Sequence, residues 1–204
     1  VNESNNRFQT PLINENKTDI NTAIANVFKE LTNNKNILFV LSANLSYEEM
    51  SNVKNLALKL DANISGYSPN TIDESFEDDY LRKKDKTVNR ASFKELEIDE
   101  TKEYFEDKLN FSSLVIIVEN NYFESNLKLL ENKKVISLFS HQCISIIHSN
   151  IAIPVASFYE KSGTYINCDG IKQKVISKMN KNNPMNTVTT IIEDLKSMIG
   201  KGTI

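Results

Sequence analysis

Three short, mainly apolar runs constrain this chain more than any other feature. They are NILFVLS at 36–42, SLVIIV at 113–118 and KVISLF at 134–139. A strand with one wet face alternates apolar and polar residues, whereas a strand covered on both faces reads as a continuous apolar run. Each run is too short for an ordinary helix and is bounded by polar turns. All three are therefore predicted to be buried strands. Between the first two, Ser46 and Glu49 have the spacing of a capping box, and Leu45 with Met50 that of a hydrophobic staple. Met50, Val53, Leu56, Ala57 and Leu60 then form one face of a helix, and Asn63–Ile64 begins a short strand. A strand, a capped helix and a strand in close succession make a βαβ unit, hence parallel pairing. A second such step is expected from Ser113–Val118 through a helix over Phe123–Leu130 to Lys134–Phe139. The predicted class is α/β: three layers, with a mainly parallel sheet and helices on both faces.

The flanking segments complete this outline. Ile20, Ala23, Ile24, Val27, Phe28 and Leu31 follow a 3.6-residue period, with Thr18 or Asp19 as cap and Asn33–Asn34 as terminator. Near the other end, Thr187 caps a helix whose inner face carries Val188, Ile191, Ile192, Leu195, Met198 and Ile199, with Gly200 expected to end it. Thr101 to Asp107 reads as a short acidic helix. Residues 1–18 are rich in asparagine, contain Pro11 and are expected to be extended. Residues 19–204 then form a single α/β domain, with a polar linker at Lys178–Pro184. The chain begins with Val1 rather than methionine, as a piece of a longer protein would.

Composition removes several functions. The 204 residues carry a net charge of −3, which favours neither nucleic acid nor an anionic membrane surface. No apolar run approaches the roughly 18–20 residues that span a bilayer, so direct membrane insertion is not expected. The two cysteines, Cys143 and Cys168, are too few for an iron–sulfur cluster and lack zinc-type spacing. Two cysteines allow one disulfide, but buried free thiols are the expectation. His141, Cys143 and His148 lie within eight residues, yet a fourth ligand is missing and the intervening residues resemble packing. The acidic cluster Glu74, Glu77, Asp78 and Asp79 faces a basic run, and a solvated loop with loose ion pairs is expected there. No G-x-S-x-G elbow supports a serine nucleophile, and no glycine-rich phosphate loop supports a free-standing nucleotide-binding module. Neither a catalytic group nor a metal site is expected.

The stretch Pro154–Gln173, PVASFYEKSGTYINCDGIKQ, begins where a short apolar run stops at Pro154, as at the end of an edge strand or the start of a turn. Gly163 and Gly170 bracket the β-type run Thr164–Cys168, so a strand tip, a tight turn and a hairpin-like excursion are predicted. At least one of the two glycines is expected at positive φ. Pro154, Phe158, Glu160, Lys161, Gly163, Thr164, Tyr165, Asn167, Gly170 and Gln173 stand at the spacing of a molybdopterin-oxidoreductase signature. The version it most resembles is that of the large G subunit of bacterial NADH-quinone oxidoreductase. Asp169 and Ile171 depart from it, where the family has Glu and Arg. NRFQTPLI at 6–13, FVLSANLSYEEMSNVKNLALKL at 39–60 and DDYLRKKDKTVNRASFKELEI at 78–98 resemble passages of the same family, in the same order.

The resemblance implies a reduced molybdopterin-oxidoreductase-like domain without a cofactor of its own. Its expected work is structural: supporting the iron–sulfur electron-transfer part of the G subunit, which this chain lacks, and packing against other subunits of respiratory complex I. Its implied place is cytoplasmic, peripheral to the inner membrane. The alternative is a working cofactor domain of a formate dehydrogenase-like molybdopterin oxidoreductase. Gly163, Thr164, Asn167, Gly170 and Gln173 would then be the cofactor-binding residues. Glu119 follows the second apolar strand where such enzymes have a glycine that lets the backbone approach a phosphate. A carboxylate there implies a lost site, at the carboxyl edge of the sheet, with no cavity beside it large enough for a guanine dinucleotide.

Overall fold

A computed structural model of the chain describes residues 6–177 and 185–201. The polar linker expected at Lys178–Pro184 lies outside the described residues. The chain forms a mixed α/β fold around a seven-stranded, mostly parallel sheet, with a separate two-stranded hairpin. The three apolar runs form β3 (Ile37–Leu41), β5 (Leu114–Val118) and β6 (Lys134–Phe139). β4 (Asn63–Ser65) and β7 (Ile151–Pro154) join them, giving five parallel strands in the order β7-β6-β5-β3-β4.

Side-chain alternation along β3 and β5 shows why these two strands contain no polar residue. Ile37, Phe39 and Leu41 of β3, with Leu114, Ile116 and Val118 of β5, belong to one apolar cluster. That cluster also holds the inner stripes of α1 (Ile20–Asn33), α2 (Tyr47–Lys59) and α6 (Val188–Lys201). Leu38 and Val40, with Val115 and Ile117, belong to a second cluster shared with Phe105 and Leu109 of α4 (Lys102–Phe111), Phe8 and Phe123. Full burial of each such side chain contributes about 1.5–3 kcal/mol, so the strand sequence is fixed by two cores at once.

The helix ends follow their sequence signals. Asp19 caps α1 by accepting from the Thr22 N–H at 2.9 Å. Ser46 and Glu49 form a complete capping box on α2, and the staple residues Leu45 and Met50 are both fully buried. Thr187 accepts from the Thr190 N–H at the start of α6.

Four details differ from expectation. Phe123–Leu130 is not a helix but two 3₁₀ turns, Tyr122–Ser125 and Leu127–Leu130. Asn126 separates them at φ −137° and ψ 35°, outside the helical region, and eight residues cannot spare one from a short helix. Gly200 does not end the last helix, since α6 runs to Lys201. Within the extended N-terminal segment, β1 (Leu12–Ile13) and β2 (Asn16–Lys17) add two antiparallel strands beside β7. Cys143 and Cys168 are free thiols as expected, but Cys143 is only half-buried and Cys168 is exposed.

Pro154 is the last residue of β7 and lies beyond the stretch of that strand that pairs with β1, so its missing N–H breaks no ladder there. The signature stretch then forms the predicted hairpin: β8 (Gly163–Ile166) and β9 (Lys172–Val175), antiparallel, with Tyr165 opposite Gln173. Gly170 sits in its turn at φ 79°.

Candidate functional site at the carboxyl edge of the sheet

The chain leaves β3 for β4 on one side and returns to β5 on the other. Strand order therefore reverses between β3 and β5, and open α/β sheets bind ligands outside the carboxyl ends of the strands at such a point. Asn44 follows β3 here, Glu119 and Asn120 follow β5, Ser140 and His141 follow β6, and Ala156 follows β7. A cavity of about 380 Å³ lies among Asn44, Glu119, Ser140, His141 and Lys161, with Phe158 and Tyr159 on its apolar side. The expectation that Glu119 lies at this edge holds. A cavity does lie beside it, with a volume in the lower part of the 300–1,000 Å³ range of ligand pockets, the small end for the guanine dinucleotide the expectation concerned. Phe158 and Tyr159 come from the 3₁₀ turn Phe158–Glu160, which borders that space.

Glu119 itself adopts φ 54°, a left-handed conformation that favours glycine. Its carboxylate accepts hydrogen bonds from the Ser140 N–H and from Ser140 Oγ, the latter at 3.2 Å. Burial pushes its carboxyl above the ordinary value of 4.5, against the Lys161 charge and the Ser140 bonds, which act downward. Ser140 Oγ is also 2.8 Å from His141 Nδ1. The acid and the imidazole both meet the serine, so the acid does not orient the histidine. This is not the arrangement of a catalytic triad, in which serine, histidine and acid are linked in that order.

Two ion pairs lock the same edge. Lys161 Nζ lies 2.6 Å from Glu49 Oε2, and both side chains are almost wholly buried. The same Glu49 oxygen accepts the Ser46 N–H of the capping box at 2.9 Å, while Glu49 Oε1 is buried without a partner. Arg7 donates to the Ser140 carbonyl, to the Val155 carbonyl at 3.0 Å and to Glu160 Oε2 at 2.5 Å. Glu160 also accepts the Ser157 N–H at 2.7 Å.

The five residues named as cofactor ligands under the alternative reading do not converge on the cavity. Gly163 lies against Ser46, where an added Cβ would come within 2.4 Å of the serine Cβ. Thr164 donates its N–H and Oγ1 to Glu48 at 2.8 and 2.6 Å. Burial raises the Glu48 carboxyl, but these bonds outweigh it and leave the group below its ordinary value. Asn167 Oδ1 accepts the N–H groups of Asp169 and Ile171, shaping the hairpin turn that Gly170 completes. Gln173 lies exposed on β9.

Three polar anchors of this edge carry no local signal in the sequence: Arg7, Asn89 and Asn120. Asn89 Nδ2 donates to the Leu45 carbonyl at 2.7 Å and Oδ1 accepts the Ile166 N–H at 2.6 Å, joining the β3–α2 connection to the hairpin. Asn120 Nδ2 donates to the carbonyls of Leu41 and Tyr67 across the β3/β5 crevice. Only the topology brings these residues to the strands they bridge.

His141, Cys143 and His148 make no metal site, and among the described residues no group of three or more His, Cys, Asp or Glu side chains can hold an ion. Cys143 instead sits beside Glu124, and burial together with that charge pushes its thiol up to about 12. Glu74, Asp73 and Asp78 are occupied by Lys84, Lys86 and Arg82.

Fold and site together define a mixed α/β protein with a pocket at the switch point of a mostly parallel sheet. No protein-family model matches the chain, and no curated protein matches it. No helix among the described residues is long and apolar enough to cross a membrane.

Proposed function

We propose that the chain is a cofactor-free structural domain of a G-type subunit of NADH-quinone oxidoreductase. In this reading the sheet is the middle of a three-layer, reduced molybdopterin-oxidoreductase-like domain. The division of the apolar core into two clusters by alternate strand residues supports that layering. The domain supports the iron–sulfur part of the subunit and packs against neighbouring subunits of respiratory complex I, on the cytoplasmic side and peripheral to the inner membrane. It contacts no nucleic acid and inserts no segment into the bilayer.

The observation that carries this reading is the internal use of the signature residues. Thr164, Asn167 and Gly163 are engaged by Glu48, by their own turn and by Ser46, and so offer a cofactor little. A pterin dinucleotide does not fit them. At the switch point, Glu119 presents a carboxyl where a pyrophosphate would need donors. The domain thus keeps the geometry of the signature as a clamp on the amino end of α2.

The alternative, a cofactor domain of a formate dehydrogenase-like molybdopterin oxidoreductase, is favoured by one observation: the cavity of about 380 Å³ beside Glu119. Mass-spectrometric metal analysis and a fluorescence assay for oxidised pterin, on the assembly purified natively through this chain, separate the two. The structural reading expects neither molybdenum nor pterin, with NADH-oxidising, cluster-bearing subunits present in the same assembly. Stoichiometric molybdenum and pterin, or a chain that purifies alone, overturns it.

A further inference from the structure

A second concavity, of about 490 Å³, lies between the loop 76–91 and the hairpin and adjoins the Glu119 cavity across Val88 and Phe158. Phe76, Leu81 and Val88 line it from the loop; Phe158, Tyr165 and Val175 line it from the other side. Four of the large exposed apolar side chains, Phe76, Leu81, Val88 and Phe158, line it. Leu81 is 91% exposed and Tyr80 is 89% exposed, so neither packs on its own domain. A contiguous exposed apolar patch with a polar rim marks a protein-interaction surface.

The charge of the lining narrows the partner. Arg82, Lys83 and Lys86 line the groove in a chain whose net charge is −3, while Arg90, also in the lining, is held by Asp85 and Glu100. Arg82 and Lys86 lie over the Phe76 ring, at 5.4 and 4.8 Å from its centre, so cation and apolar floor are adjacent. Asp78 and Asp73 pair with them from outside the lining, through exposed ion pairs of the weak kind that a partner's carboxylates can replace. Lys83 is exposed and has no ion pair among the described residues. β9 contributes Gln173 and Val175 to the groove, and its outer edge pairs with no other strand among the described residues. An open strand edge takes an extended segment by β-addition.

We propose that this groove docks an extended segment of another protein in which acidic residues interleave with large apolar ones. A second copy of the chain is disfavoured, because a two-fold contact would set the same cationic lining against itself. Nucleic acid is disfavoured because it has no ladder of backbone N–H and C=O groups to pair with the open edge of β9. The inference does not depend on the proposed function.

The test uses two fluorescein-labelled twelve-residue peptides, one alternating Leu with Glu and one alternating Leu with Lys, titrated with the full chain and read by anisotropy. The Glu peptide is expected to bind, and the Lys peptide to bind at least about tenfold more weakly. Lys83→Glu and Leu81→Asp should each weaken the Glu peptide by about tenfold, while Leu58→Asp, on α2, should not. Circular dichroism checks that each variant is folded; all three positions are exposed. Equal binding of both peptides, no binding of either, or indifference to Lys83→Glu and Leu81→Asp overturns the proposal. Concentration-dependent dimerisation abolished by Leu81→Asp, seen by sedimentation, also overturns it and gives the groove to a second copy.

Discussion

The heart of the sheet and its carboxyl edge are held by different physics. In β3 and β5 every residue is buried and apolar, and the strands need no partner beyond their neighbours and the two clusters. At the carboxyl ends of these same strands, the edge is held by Arg7–Glu160, Lys161–Glu49, the Glu119–Ser140 bonds, Asn89 and Asn120. Apolar packing tolerates shape changes by degrees. A buried charge does not: with its partner removed, it remains in a medium that cannot solvate it. The heart should therefore yield gradually to substitution and the edge abruptly.

The largest effect is expected at Lys161. Lys161→Met leaves Glu49 buried and unpaired, with one carboxylate oxygen already without a partner, and should cost about 3–5 kcal/mol in urea unfolding. Adding Glu49→Gln removes the orphaned charge and should restore more than half of that loss. If the double variant is no better than the single one, the edge is held by packing and the contrast with the heart disappears.

Gly163→Ala comes next. Its new Cβ would meet Ser46 Cβ at 2.4 Å at the capped start of α2, and a cost of about 1–3 kcal/mol is expected. A neutral result would mean that the hairpin can shift off α2, and that the clamp is loose. Gly170→Ala meets no atom but keeps φ 79°, so only the left-handed strain remains, at about 1 kcal/mol. The ordering of the two glycines separates close approach from backbone conformation. Chemical denaturation of both variants measures it.

The smallest effect is expected at Glu119, where pH sharpens the comparison. Its folded pKa lies above the ordinary 4.5 because the carboxyl is enclosed. Its proton therefore favours the folded state: the contribution is fully present below the unfolded value and is lost as pH rises through the folded one. The stability of the parent relative to Glu119→Gln should accordingly fall as pH is raised above 4.5. A relative stability that rises over that window would mean that Lys161 and Ser140 dominate, and that the edge prefers the ionised carboxylate.

The same division decided what could be read from the sequence. β3 and β5 were legible because burial on both faces leaves an unbroken apolar run, β6 because only Ser137 interrupts one, and α2 because its cap and staple are local. The β8–β9 hairpin was legible from its two glycines, although only Gly170 acts through φ, while Gly163 acts through the closeness of Ser46. The β1 and β2 strands were not legible, since two residues carry no period. Nor was the break at Asn126, where an apolar pattern suited a helix but the backbone turns tightly twice. Of the candidate site, Glu119 and its place at the sheet edge were legible from the strand before it. The cavity beside it, the Lys161–Glu49 pair and the role of Arg7 were not. They join residues far apart in the chain, and nothing near Arg7 announces Glu160.

That separation has a consequence for how the molecule is made. Arg7 bonds to groups 133, 148 and 153 residues further along the chain. A ribosome adds about 5–20 residues each second, so the guanidinium emerges on the order of ten seconds before its last acceptor exists. Through that interval β1 also lacks β7, against which it is paired in the finished fold. The segment around Arg7 must wait, solvated, until the signature stretch appears, and the ring of contacts around it closes only then.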